Sequence, residues 1–422
     1  MKFLSFLGRR SHRHQTEAEA HDGVLEPLTA LRRRTPRQPA PQPALSIPCP
    51  DPTAEDRRRD LIQQHGQRLA RQEDWSTLAA LMAKADAAND KTPGGMSRAE
   101  LLSFGARADV VAAVEHALFA GPPSTSAPLL SGIAQLEEVL AGCPADPMIA
   151  AIVAQTHVDL GWAWRGTGWD AEVPARNRAA FAAHFDRAAD ILAAFEPKSS
   201  ALIASVTCAA SAAYRHAPED TAAAFETLIT LDPATPQSFR AMGLRLLPRW
   251  GGALDALELH ARRMAARTHA TWGAGGYTWA MLDAIAMDDD ACAQLDVDFF
   301  IDGLRDILER TDEQHIVNLL AAYCANTMGT HVDGCDTAAL VRTQIAACAD
   351  WIVKTHLREL HPMIWAHAAR GFDQRLRVRN PDRFADAGLA DAHRFLADLF
   401  RREIAEGHRI VFGENGPEAQ PA

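Results

Sequence analysis

Aromatic residues are scarce, 7% of the 422 residues, and only 3 of them are tyrosine. With few rings and abundant alanine, the composition favours closely packed helices over sheets. Long apolar runs are absent too: nothing is long enough to span a bilayer, and the apolar start before Arg9 and Arg10 is too brief for a secretory core. Membrane association is therefore not expected. Cys49, Cys143, Cys208, Cys292, Cys324, Cys335 and Cys348 form no CxxC pair and are odd in number, which points to reduced thiols in a cytoplasmic protein. GxxxxGK[ST], GxSxG and dinucleotide fingerprints are missing, so no phosphate cradle, nucleophile elbow or cofactor is expected. Positive charge is short in the body of the chain. The net charge is -11, yet residues 1–47 hold eight Lys/Arg against four Asp/Glu, so the remainder is more acidic still and a poor nucleic-acid binder.

What is present is helical punctuation. Residues 1–53, rich in Pro, Arg, His and Gln, read as a disordered arm. Residues 54–120 read as three helices, Asp56 to Arg71, Trp75 to Ala88 and Ser97 to Phe119, with Ser97 and Glu100 at capping-box spacing. From 125 to 375 helix-length segments break at Pro147, Pro197 and Pro233. The last two lie 36 residues apart and the first two 50 apart, the excess matching the excursion RGTGWDAEVPARNR. Apolar stripes accompany the breaks: Ile149, Ile152, Thr156 and Leu160; Phe181, Phe185, Ala188, Leu192 and Phe195; Phe225, Leu228 and Ile229. A period in the mid-thirties predicts an all-α, tetratricopeptide-like helical-repeat array of antiparallel helix pairs. Residues 376–410 continue as a C-terminal helical segment, and 411–422 read as a disordered tail.

One corner organises the array. In LRLLPRWGGALDALELHARRM the helix carrying Phe239, Met242 and Leu246 stops before Pro248. Arg249 and Trp250 turn, Gly251 and Gly252 reverse the chain, and Leu254, Leu257, Ala261 and Met264 begin the next stripe. Trp250 is expected to wedge the corner, with its indole N–H on a carbonyl. Upstream, Gly166 closes the helix that carries Leu160 and Trp164, Gly168 lets the excursion turn, and Arg165 faces helix-end carbonyls.

Read together, HVDLGWAWRGTGWDAEV and LLPRWGG resemble an uncharacterised bacterial family of tetratricopeptide-like proteins with a W-x-x-RG-x-G segment and an LPRWGG corner. Trp162, Arg165, Gly166, Gly168, Pro248, Arg249, Trp250, Gly251 and Gly252 stand at the matching positions, and the likeness spans roughly 125 to 375. The resemblance implies a helical scaffold of unassigned function, with no catalytic residues.

Constellations that invite chemistry resolve into structure. His356, His361 and His367 are five and six apart, off any single helical face, and Pro362 interrupts them. Cys324, His331 and Cys335 lack a second cysteine pair. Asp288, Asp289, Asp290, Asp296, Asp298 and Asp302 lack the Gly and Glu of a calcium loop and read as helix caps. GAGGY at 273–277 reads as an interhelical loop. The expectation is a noncatalytic scaffold with a groove for a peptide or protein partner. The alternative is a ligand sensor or enzyme with a pocket where Trp162, Trp169, Trp250, Trp272 and Trp279 converge.

Overall fold

The computed structural model describes residues 44–421 apart from 120–126, 167–171, 215, 330–335, 373–377 and 379. Almost all of the expected arm, together with Gly168, Trp169, His331 and Cys335, lies outside the described residues. The described chain is an all-α array with one small sheet. It begins with α1 (Ala54–Arg71), α2 (Trp75–Ala87), α3 (Arg98–Phe119), α4 (Ala127–Gly142), α5 (Pro147–Arg165), α6 (Ala175–Leu192), α7 (Ala201–Ala210) and α8 (Pro218–Leu231). It continues through α9 (Pro236–Arg245), α10 (Leu254–Arg267), α11 (His269–Trp272), α12 (Gly275–Met287), α13 (Asp289–Ala293) and α14 (Val297–Arg310). Last come α15 (Gln314–Ala322), a π-helical turn at Tyr323–Met328, α16 (Asp336–His356), α17 (Pro362–Ala368), α18 (Pro381–Leu399) and α19 (Arg401–Ala405).

Local chemistry sets the helix ends. Thr53 and Asp56 form a reciprocal capping box on α1, with Asp56 N–H on Thr53 Oγ1 at 3.1 Å and Thr53 N–H on Asp56 Oδ2 at 3.2 Å. At α3 the expected box is only half made. Ser97 Oγ takes the Glu100 N–H at 3.4 Å, but the Glu100 carboxylate accepts the Ser205 hydroxyl of α7 instead. Asp146 caps α5 ahead of Pro147, and Gly166 at φ 69° ends it. Asp288 and Asp296 cap α13 and α14. The segment 273–277 is only partly a loop: Gly273 turns at φ 58°, and Gly275 already begins α12.

The apolar stripes pack into two clusters. Ile62, Leu102, Ile149, Ile152, Leu160, Phe185 and Leu192 belong to the first, and Phe225, Ile229, Phe239, Trp279, Leu304, Trp365 and Phe412 to the second. Helix α7 serves both, giving Ile203, Val206 and Ala209 to the first and Ala204 and Cys208 to the second. Several side-chain bonds between residues 226 and 323 span 34 to 43 residues. His260 meets Glu226 34 residues away, Arg262 meets Asp296 at 34, Trp272 meets Pro233 O at 39, Tyr323 meets Leu282 O at 41 and Arg240 meets Asp283 at 43. In this stretch they tie neighbouring helix pairs together, as in a helical-repeat array.

The corner turns as expected but not with the expected wedge. Pro248–Trp250 is a 3-10 turn, Gly251 takes φ 88°, and a Cβ on Gly252 would fall 2.0 Å from Leu246 O. Trp250 is 39% exposed, which corrects the packing role assigned to it. The turn closes on its own backbone: Trp250 and Gly252 N–H both donate to Leu247 O.

The other correction concerns the ends of the described chain. Residues 411–422, expected to be a disordered tail, contribute to a hairpin of β2 (His408–Gly413) and β3 (Gly416–Pro421). The end of the expected arm is ordered as well, for β1 (Leu45–Ser46) pairs in parallel with β2. Alternation in β2 explains its burial, Ile410 and Phe412 pointing into the second cluster.

Among the described residues no helix is long and apolar enough to cross a membrane. Partly buried imidazoles give the array a pH dependence. Burial pulls the pKa of His184 and of His367 down to about 4, and burial followed by Arg59, His361 and Arg240 pulls His315 down to about 3. All three fold neutral and titrate near 6.5 once unfolded, so their contribution is complete above 6.5 and is lost as pH falls toward the folded values. His157 and His356 are lowered too, so urea unfolding across a pH series should show uptake of at least about three protons near pH 5. His184→Phe should remove about one of them.

Candidate functional site

An open groove of about 510 Å³ runs between α10 and α14, with α11 and the start of α12 at one end. Its residues come from neighbouring helix pairs: Arg262, Ala265, Ala266 and His269 on one side, Phe299, Asp302, Arg305, Asp306 and Glu309 on the other. Both signs of charge line it, around an apolar strip of Ala265, Ala266 and Phe299.

The walls are held in place by the chain's own contacts. Arg262 lies against Tyr277 and Phe299, its guanidinium carbon 5.4 and 5.3 Å from the two ring centres. It donates to Glu258 at 2.6 Å and to Asp296 at 2.7 Å. Asp296 and then Glu258 raise the Arg262 pKa, and Arg262 in turn holds the Asp296 carboxyl below the usual range. Beneath it the Tyr277 hydroxyl donates to Glu258 Oε2 at 2.8 Å and accepts the Asp296 N–H at 3.3 Å. Burial, reinforced by Glu258, pushes the Tyr277 pKa up, so it serves as a strut and not as a base. At the far end Asp306 accepts the Ala274 N–H at 2.6 Å and the Arg310 guanidinium at 2.7 Å. Burial opposes its ionisation, but Ala274, Arg310 and His269 outweigh burial and keep its pKa low. A Cβ on Gly273 would sit 2.2 Å from Asp306 Oδ2, so glycine is needed for this closure.

The residues singled out from sequence lie elsewhere. Trp162 packs edge-on to Phe181 and Phe185, at 5.2 and 5.7 Å, with Arg165 5.8 Å from its ring centre. Trp272 and Trp279 meet at 5.9 Å inside the second cluster, the Trp272 indole donating to Pro233 O at 2.7 Å. Pro248, Arg249 and Trp250 are exposed at the corner, which Gly251 and Gly252 complete. None of the described tryptophans lines the groove, and they do not converge on a common pocket.

Two polar arrangements escaped the sequence reading. Arg240 of α9 and Asp283 of α12 form a buried two-pronged ion pair at 2.7 and 2.9 Å. Glu137, His157 and His184 form a chain with contacts of 2.8 and 2.9 Å. Burial lowers the His157 pKa, and Arg187 followed by His157 lowers that of Glu137. With both imidazoles neutral, His157 Nε2–H donates to Glu137 and His184 Nδ1–H donates to His157 Nδ1. Their separations, 43 residues for Arg240 and Asp283 and 20 and 27 along the Glu137, His157 and His184 chain, follow no common spacing that would single them out in sequence. Among the described residues no group of three His, Cys, Asp or Glu side chains is placed to hold a metal ion.

Compared with known proteins, the chain matches no family model, no curated protein and no solved structure.

Proposed function

We propose that the chain is a noncatalytic interaction scaffold of tetratricopeptide type, working in the cytoplasm, which takes a peptide segment of a protein partner between α10 and α14. The resemblance carried by Trp162, Arg165, Gly166 and the Pro248 to Gly252 corner is part of this reading. The observation that supports it most is the groove itself, open along two neighbouring repeats, with an apolar strip flanked by Arg262 and Arg305 on one count and Asp302, Asp306 and Glu309 on the other. An extended peptide with an apolar residue between charges of both signs has complementary chemistry.

Selection of a displayed peptide library on the full chain tests the reading. Ala266 is exposed on the groove wall, so Ala266→Trp fills the groove without entering the core. The selected peptides should lose at least about tenfold in affinity on Ala266→Trp, a cost of about 1.4 kcal/mol. They should ignore Ala387→Trp on the exposed face of α18. Failure to select any peptide, or selection of peptides indifferent to Ala266→Trp, would remove the proposal.

A further inference from the structure

Residues 44–52 are held by the rest of the chain much as a bound peptide is held. The segment is extended, with prolines at 48, 50 and 52, and none of its residues is fully buried. Its main chain accepts two long-range bonds, Ile410 N–H to Ala44 O and Leu360 N–H to Pro48 O, each at 2.8 Å. Between them Leu45 and Ser46 lie beside Ile410 and Val411 in a two-residue parallel ladder. Leu45 and Ile47, two positions apart, pack against the second cluster.

From Thr53 onward the allegiance changes. Ile62 and Leu69 of α1 and the apolar residues of α2 and α3 pack in the first cluster, and the second cluster includes none of them. Ties between the N-terminal helices and the second half include the polar contacts Lys91 to Asp232 at 2.5 Å and Asn89 to Leu231 O at 2.9 Å. Beside the segment an open groove of about 690 Å³, lined by Ala44, Leu45, Ala390, Ala397 and Ile404, extends the same apolar surface along α18 and α19.

A short parallel ladder, two apolar side chains and main-chain bonds at both ends make up the strand-addition mode of peptide recognition. So few buried contacts also place the segment among the parts of a fold that open locally. We propose that β2, Leu360 and the groove beside them form a docking surface for an extended peptide with apolar residues at alternate positions, and that residues 44–52 are its resident ligand. The inference rests on the scaffold reading only for the existence of an outside competitor, and it uses a different surface from the α10–α14 groove.

Hydrogen exchange on the full wild-type chain gives the first test. The amides of Leu360 and Ile410 should exchange together, at least about 100-fold faster than the Met281 amide inside α12. Equal protection at all three would overturn the proposal, whatever any variant does. The second test adds a labelled peptide of residues 41–53, with serine for cysteine, to the wild type and to the full-length double variant Leu45→Asp, Ile47→Asp. A tethered segment competes at an effective concentration on the order of millimolar, so the variant should bind the peptide at least tenfold more tightly. No gain in a folded variant would also overturn it. Ala266→Trp should leave this peptide unaffected, so either proposal can fail alone.

Discussion

Replacing Asp283 by alanine costs the folded protein about 3–5 kcal/mol. Arg240 is 5% exposed and Asp283 7%, and the guanidinium meets the carboxylate through two parallel bonds of 2.9 and 2.7 Å. Arginine keeps its charge in a protein interior, so removing the carboxylate leaves a buried cation. The Phe372 ring, centred 5.8 Å from the guanidinium carbon, also lies against the pair. The backbone cannot easily yield, because α9 and α12 touch one turn away: a Cβ on Gly243 would fall 1.8 Å from Ala280 O. Urea unfolding of Asp283→Ala should show the loss, and the double replacement Arg240→Met, Asp283→Leu should recover most of it. A loss under about 1 kcal/mol would mean that water reaches the pair.

Gly105→Ala should destabilise the protein by at least about 2 kcal/mol, although alanine is about 1 kcal/mol better than glycine inside an exposed helix. A Cβ there would stand 1.9 Å from Gln63 O, and one on Gly66 would stand 2.2 Å from Leu102 O. The two glycines are thus reciprocal, each giving room to the other helix's backbone where α1 crosses α3. The obstacle is main chain, which cannot swing aside as a side chain would. Thermal and urea unfolding of Gly105→Ala and Gly66→Ala decide the sign, and a stabilised variant would show that the helices part at little cost.

The array was legible where burial follows the helical period. Phe185, Ala188 and Leu192 of α6 are buried among exposed neighbours as their spacing demands, and Pro147 opens α5 where a missing N–H costs nothing. Trp250 misled because size suggested a wedge, whereas a 3-10 turn and two glycines close the corner through backbone bonds that require no ring. The hairpin at 408–421 escaped for a related reason. GPEAQP has a polar and Gly/Pro-rich composition, but β3 is held by pairing with β2, and main-chain hydrogen bonds leave little trace in residue type. The α10–α14 groove lies further beyond sequence. Arg262 and Asp296 look like ordinary surface charges until the fold brings them to 2.7 Å, and Ala266 lines the groove only because Phe299 and Arg305 face it across the gap.

The pairing of β1 with β2 carries a consequence for how the chain is made. Leu45 and Ile47 leave the ribosome well over three hundred residues ahead of Ile410 and Val411, which receive them. The helix pairs between can form from neighbours as they emerge, since their contacts are close in sequence. Closure has to wait. During that interval Leu45 and Ile47 lack the surface that later covers them, so β1 can pair only after β2 has been made.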